Sequence, residues 1–407
     1  MEMEIKRDYK YYKEIFENTT APFAYVDLDL LRKNITDISK RAEGKPIRVA
    51  SKSVRCLSVI QKILNSGLKV AGVMSYCAQD TIYLSQNGVE NLLLAYPVVD
   101  EFYIHQLALE IKKGKKIVLM VDLPEHVERI NEVGKLAGVQ IPICLDIDMT
   151  TRFPGIYFGV YRSSLKLIEE ARKLYQKIKN CDYVELKGIM GYEAQIAGLA
   201  DNDPINGLKN PVIRLLKSKS VKIVADRRTA IINMLGNEGA ELEIINAGGT
   251  GSIETSIQEP LVTEVTAGSG FFNSKLFDYY HNFQHEPAAA FGLEVVRIPQ
   301  PGVYTCYGGG FIASGPVGKN KQPSPYLPQQ VKTIESEGFG EVQTPILSTY
   351  PFQIGDPVFF RHAKAGELCE HFDKVYLVEN GEIVAQAPTF RGDRVLEILN
   401  FVKNNFQ

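Results

Sequence analysis

The alternation of short apolar runs with stretches of helical spacing is the feature that most constrains this chain. Phe23-Ala24-Tyr25-Val26 precedes Leu28, Leu31, Ile35 and Ile38, which recur at three and four residues. Ile47-Arg48-Val49-Ala50 precedes Leu57, Ile60 and Leu64, and Val70-Ala71-Gly72-Val73 precedes a helical stretch ending near Asn87-Gly88. Further runs follow at Leu92–Ala95, Ile117–Val121, Ile143–Ile147, Val184–Met190 and Leu242–Asn246, giving eight candidate strands. Near-continuous apolar strands alternating with helices specify a parallel sheet covered on both faces. Eight of them over roughly 225 residues match an α/β fold of the (β/α)8 TIM-type barrel. A doubly wound open sheet has the same periodicity.

After about residue 275 helical spacing gives way to turn signals: Pro299-Gln300-Pro301-Gly302, Gly308-Gly309-Gly310, Gly315-Pro316 and Asn380-Gly381. Val375–Val384 reads as a β-hairpin with an Asn-Gly turn. The expected organisation is an N-terminal extension over residues 1–20, a barrel over 21–275, and a mostly β domain over 276–407 closed by a helix at about 393–404. A chain of 407 residues is also too long for one core, since single cores stop growing near ~250–300 residues.

Composition narrows the function classes. Forty-six basic and 48 acidic side chains give a formal net charge of −2, so no electrostatic footprint for nucleic acid is present. No apolar run approaches the ~20 residues of a membrane helix, and the charged N-terminus lacks the apolar core of a secretory signal. The six cysteines stand singly, without a CxxC pair, which favours a reducing cytoplasm over a disulfide framework or zinc ribbon.

Several residues are candidates for chemistry. Lys52 falls just past a predicted strand, where barrel enzymes place catalytic groups, and a dry barrel mouth favours the neutral amine that forms a Schiff base. Taken alone, a solvated lysine opening a helix fits the same spacing. Asn246-Ala247-Gly248-Gly249-Thr250-Gly251-Ser252 follows the last predicted strand. Its glycines let backbone N–H groups fold round an anion, and a helix N-terminus after it favours phosphate; a simple glycine turn is the alternative. It is neither GxGxxG nor a P-loop. Asp146 and Asp148 share a strand face with Arg152 shortly after, compatible with cofactor orientation or with a strand-end ion pair. Tyr192 and Gln195 follow the seventh predicted strand. Arg361–Asp373 gathers metal-competent groups, with Cys369, His371 and Asp373 close in sequence. His105, His126, His281 and His285 have no such neighbourhood and read as structural or surface residues.

In this order the pieces resemble the fold-type III pyridoxal-phosphate enzymes, the alanine racemase-like barrels, and within them the D-threonine aldolase and D-serine dehydratase branch. Thr20-Ala21-Pro22-Phe23-Ala24-Tyr25-Val26-Asp27 is similar to the family's T-P-x-x-x-x-D entry. Arg48 to Lys52 is similar to its R-x-x-x-K, whose lysine carries the cofactor. Asp146 to Arg152 resembles D-x-G-x-x-R, with Met149-Thr150 in place of the usual glycine neighbourhood. Gly248-Gly249-Thr250-Gly251 resembles the phosphate-binding G-G-T-G, and Gly355-Asp356 and Val375 through Gly392 resemble the C-terminal β domain.

The resemblance spans about residues 20–395 and implies pyridoxal 5'-phosphate held by Lys52, with Arg152 near its phenolic oxygen. It places Tyr192 and Gln195 near ring or substrate, and Gly249, Thr250 and Gly251 at the phosphate. It implies a small amino-acid substrate, a homodimer, and a lyase: aldol cleavage, or dehydration and deamination, of a D-β-hydroxy amino acid. An amino-acid racemase is the nearest rival. A non-catalytic pyridoxal-phosphate carrier is a second, although such carriers are usually single barrels, and a phosphate-sugar barrel is a third. Relatives hold a divalent metal with an H-x-C or H-x-D pair. Counted without gaps from Gly355-Asp356, Lys364 and Gly366 fall at that pair here, and His371-Phe372-Asp373 is offset by seven. A cationic Lys364 in the metal's place at a substrate oxygen is the expectation from position.

Overall fold

The architecture comes from a computed structural model, which describes residues 6–204, 207–316, 318–397 and Lys403. Eight parallel strands close into a barrel in the order Ile47–Ala50, Val70–Ser75, Leu92–Leu94, Ile117–Val121, Ile141–Asp146, Val184–Gly191, Ile244–Ala247 and Glu264–Ala267. The last returns to the first, with Thr266 opposite Arg48. Helices such as Leu57–Leu64, Glu101–Lys112 and Pro124–Ala137 cover the outside. Along Leu92–Leu94 the period of two sends Leu93 into the barrel, while Leu92 and Leu94 join the outer core. Leu93, Val118, Met120, Cys144, Met190 and Ile244 fill the interior, so the barrel is a packed core rather than a pore.

Two strand expectations are corrected. Phe23–Asp27 is not a barrel strand: it lies between Ala289–Gln300, antiparallel, and Lys374–Glu379, parallel. Its five residues are all buried, as in a barrel strand, so burial alone did not separate the two placements. The eighth barrel strand is Glu264–Ala267, whose Glu-Val-Thr-Ala sequence lacks an apolar run because its polar side chains point into a buried network. Arg48, fully buried, donates from Nη2 to Glu264 Oε2 at 2.7 Å, and Asn246 donates to Glu264 Oε1 at 2.8 Å. A buried charge pair is tolerated only when its remaining hydrogen bonds are met, and here Arg48 also donates to the Asn91 carbonyl at 2.7 Å.

The second sheet has nine strands, in the order Lys332–Thr333, Gln343–Leu347, Val303–Tyr307, Ala289–Gln300, Phe23–Asp27, Lys374–Glu379 and Glu382–Pro388. Pro357–Arg361 pairs with Ala289–Gln300 and with Ser324–Leu327. The expected hairpin is present: Asn380 and Gly381 both have positive φ, 51° and 87°, as a type I′ turn requires. The helix Tyr9–Ile15 packs on this sheet through Tyr9 and Tyr12, whose hydroxyls donate to the Pro357 carbonyl and to Asp27 at 2.9 Å each. Of the expected C-terminal helix, a short 3₁₀ turn at Val395–Glu397 is described, and most of the remainder lies outside the described residues. Among the described residues no helix is long and apolar enough to cross a membrane.

Candidate active site

Residues just past the C-terminal ends of the barrel strands converge on one pocket with about 630 Å3 of space, open to solvent on one side. Lys52 sits in a 3₁₀ turn, Ser51–Ser53, that begins directly where Ile47–Ala50 ends. Tyr76 follows Val70–Ser75, Tyr96 follows Leu92–Leu94, and Tyr192 follows Val184–Gly191. Gly248, Gly249 and Thr250 follow Ile244–Ala247, and Gly268 and Ser269 follow Glu264–Ala267. This is the end of a (β/α)8 barrel at which loop side chains from several strands assemble active sites.

The Lys52 amine donates to the Tyr96 hydroxyl at 3.3 Å. Beside them Arg162 donates from Nε to Asp146 Oδ2 at 2.6 Å and from Nη2 to the Ala95 carbonyl at 3.1 Å. Its guanidinium carbon lies 4.9 Å from the centre of the Tyr96 ring and 5.7 Å from that of Tyr192, within cation–π range. Burial raises the Asp146 carboxyl to about 6 despite the opposing pull of Arg162. Burial, with Glu193 nearby, pushes the Tyr192 phenol up to about 12.

The glycine turn is braced from below by a buried carboxylate. Glu193 accepts from Ser252 Oγ at 2.6 Å, Ser256 Oγ at 2.7 Å, the Gly248 amide at 3.3 Å and Arg228 Nη2 at 2.9 Å. From the side, Arg41 donates to the Thr250 carbonyl at 2.6 Å. Thr250 Oγ1 accepts the amides of Gly268 and Gly270 at 3.3 and 3.1 Å, joining the two glycine-bearing loops. A Cβ on Gly249 would stand 2.9 Å from Ala197 Cβ and 3.0 Å from Tyr192 Cε2, so a side chain there would crowd Ala197 and Tyr192. The helix after the turn is a single turn, Ile253–Ser256, so its dipole contributes less than a long helix would; the brace is Glu193.

The structure thus brings together Lys52, Tyr192, Gly249 and Thr250 of the residues singled out in the sequence. Gly251 does not line the pocket, and a Cβ there would stand 2.4 Å from the Ala197 carbonyl oxygen and 2.4 Å from Tyr280 Cε1. Gln195 is buried and donates to the Met149 carbonyl at 2.6 Å. Arg152 is exposed on a hairpin, its guanidinium 5.7 Å from the Tyr157 ring centre, and the arginine that lines the pocket is Arg162. Asp146 pairs with Arg162, and Asp148 caps Thr150 N at 2.8 Å. Lys364 lines a second, smaller pocket with His362, Glu367, His371 and Phe311, and donates to Ser314 Oγ at 3.1 Å. Cys369, His371 and Asp373 do not converge: Cys369 is buried with Sγ on the Val54 carbonyl at 3.2 Å, His371 stacks on Phe311, and Asp373 pairs with Arg391 at 3.0 Å. Among the described residues no three His, Cys, Asp or Glu side chains gather as a metal would need.

Tyr76, Tyr96 and Arg162 line the pocket and were not singled out in the sequence, and Glu193, beside Tyr192, braces the pocket without lining it. Tyr96 carried the same signal as Lys52, a polar residue directly after a predicted strand. Arg162 carried none, because the hairpin formed by Thr151–Phe153 and Ile156–Phe158 separates it from the strand end it serves.

The fold and mouth define a (β/α)8 barrel with an amine-bearing pocket, joined to a β domain. The chain belongs to the family described as alanine racemase, N-terminal domain, whose model matches residues 26–272. Among solved structures it is similar to D-threonine aldolase from Filomicrobium marinum, at 17% identity over 91% of this chain and 94% of that one, with a TM-score of 0.77. It is also similar to D-threo-3-hydroxyaspartate dehydratase from Delftia sp. HT23, at 15% identity over 91% and 98% with a TM-score of 0.72. An alanine racemase from Clostridium difficile 630 in complex with cycloserine gives 17% identity over 90% and 98%, with a TM-score of 0.66. At these identities the likeness is one of fold. No curated protein sequence matches the chain significantly.

Proposed function

We propose that the chain is a pyridoxal-phosphate-dependent enzyme acting at Cα of an amino acid, with aldol cleavage or dehydration of a D-β-hydroxy amino acid as its reaction. One observation carries the reading: Lys52 shares a single pocket with Gly249, Thr250, Gly268 and Ser269 at the C-terminal mouth of the barrel. An amine and a backbone-lined turn in one pocket fit an aldehyde-bearing ring phosphate. The close approach of Gly249 to Tyr192 supplies the narrow wall such a ring needs.

When bound, pyridoxal phosphate supplies an electron sink for the bond broken at Cα. Lys52 would hold it and, once released by the substrate's amine, hold or return a proton at its own Nζ. The Gly249-Thr250 turn, fixed by Glu193 and Arg41, would hold the phosphate. Arg162, whose direction is set by Asp146, would orient the polar edge of the ring, the role expected of Arg152, and Tyr192 would pack against the ring face. Lys364, on the loop that packs against the Lys52 turn, is the candidate for drawing charge from a substrate oxygen.

A racemase on the same cofactor is the second reading. It is favoured by Tyr192, a second acid–base group lining the pocket with Lys52. Solvent-deuterium exchange at Cα without carbon loss or ammonia release would select it.

The test is the absorption spectrum of the purified protein with added pyridoxal phosphate, followed by borohydride reduction and peptide mapping. A pyridoxyl adduct on Lys52 is expected. Absence of any adduct there returns the chain to a phosphate-binding barrel of unassigned chemistry.

A further inference from the structure

Three tyrosines line the pocket, and their surroundings differ. Tyr76 lies under Arg55, whose guanidinium carbon is 4.9 Å from its ring centre, and its hydroxyl is buried without a partner. Tyr192 is walled by Gly249 and Ala197. Tyr96 alone of the three receives a hydrogen bond from Lys52, and the residue is 38% exposed. It therefore touches both the reactive amine and water.

The charges facing Tyr96 are the Lys52 ammonium at 3.3 Å and the Arg162 guanidinium over its ring. Arg162 cannot swing away, because Asp146 and the Ala95 carbonyl hold two of its nitrogens. Two cations against one phenol favour its ionised form.

We infer that Tyr96 is the proton partner of Lys52, moving a proton between the Lys52 amine and solvent. The step is balanced within the pair. An N–H bond of the Lys52 ammonium breaks, its electron pair stays on nitrogen, and the Tyr96 phenolate forms an O–H bond with the proton. Ammonium and phenolate become amine and phenol, with no change in net charge. The phenol then loses its proton to water on its exposed side. The reverse sequence reloads Lys52. Consistent with this, burial pushes the Tyr96 phenol up, but Lys52 and then Arg162 more than offset it, leaving it below its ordinary value, whereas Tyr76 and Tyr192 are both raised.

This inference rests on the reading of Lys52 as the reactive amine, but part of its test needs no cofactor. The protein without pyridoxal phosphate is titrated by tyrosinate absorbance at 295 nm. One tyrosine is expected to ionise before the others, because two cations face it. That phase should vanish in Tyr96→Phe and move up in Lys52→Met, which removes the neighbouring cation. A phase that survives in Tyr96→Phe, or that Lys52→Met leaves in place, overturns the inference. With cofactor added, Tyr96→Phe should still yield the pyridoxyl adduct on Lys52. Its solvent-deuterium exchange at Cα of an amino acid should slow about a hundredfold, the low end for loss of an acid–base group. Unchanged exchange with intact adduct also overturns it. Failure of the adduct in the parent protein rejects the cofactor reading and leaves the titration to decide the pairing.

Discussion

Gly366 lies against the carbonyl of Lys52 so closely that a Cβ on it would stand 1.9 Å from that oxygen. Its φ of +82° is in the left-handed region, so glycine is required twice over. Through this contact the loop between Arg361 and Leu368, which follows a strand of the second sheet, seats the turn that carries Lys52. Gly366→Ala should cost about 1–3 kcal/mol from backbone strain alone. The displaced turn should also slow pyridoxyl capture at Lys52. Urea unfolding and borohydride labelling check both; normal capture would show that the contact does not hold the turn.

Glu193 receives four hydrogen bonds that tie the glycine turn to Arg228. Glu193→Gln removes the charge that pairs with Arg228 and turns one of the two acceptor oxygens into a donor, facing either the two serine hydroxyls or Arg228 and the Gly248 amide. Removing one member of a buried pair costs about 3–5 kcal/mol. The variant should melt earlier, and its affinity for pyridoxal phosphate, measured by absorbance titration, should fall at least about tenfold, near 1.4 kcal/mol.

Arg152 and Arg162 give a paired comparison. Arg162→Met should weaken cofactor binding by about tenfold or more, as expected for loss of a charge-assisted contact of about 1.5–3 kcal/mol. Arg152→Met, on the exposed hairpin, should leave the same titration within about twofold. The reverse result would restore Arg152 to the site and remove Arg162.

Lys364→Met tests the role proposed for that side chain. Turnover of β-hydroxy amino acids should be lost while pyridoxyl capture at Lys52 is kept. Retained turnover would confine Lys364 to its own pocket, where it already bonds Ser314.

Asp80 makes stability depend on pH. Burial raises its carboxyl from 3.8 to about 7, although Ser51 and the Tyr76 amide donate to Oδ2. The raised value means that its stabilising contribution is whole below about 3.8 and is lost as pH rises through about 7. His285 and His362, both lowered to about 3 by burial, act oppositely: their contribution is present above 6.5 and is lost as pH falls through about 3. Asp80→Asn mimics the protonated acid, so the parent-minus-variant difference isolates Asp80. Denaturation between pH 4 and pH 8 should show the parent losing roughly 2–4 kcal/mol relative to the variant. A flat difference would mean that Asp80 is ionised throughout.

Much of the barrel was legible in the sequence because parallel strands buried on both faces must be apolar along their length. The two misplaced strands show where that rule ends. Phe23–Asp27 satisfies it while belonging to another sheet, since its neighbours come from residues 289–292 and 375–378, beyond the reach of any local pattern. Glu264–Ala267 breaks it, because Glu264 is buried only by virtue of Arg48, more than two hundred residues earlier. The site divides in the same way. Lys52 and the Gly249-Thr250 turn sit directly at strand ends and were visible. Arg162 reaches the pocket by folding back across a hairpin, and Glu193 acts through serines that lie beside it only in space.

The place of Phe23–Asp27 between strands from the other end of the chain also fixes an order of assembly on the ribosome. Its parallel neighbour Lys374–Glu379 leaves the ribosome roughly 350 residues later. At about 5–20 residues per second that is a delay of roughly 20–70 s. All eight barrel strands are made by residue 267, long before this. Phe23–Asp27, made before every barrel strand, is thus among the last to gain both of its neighbours, and until then its fully buried face must be kept from pairing elsewhere.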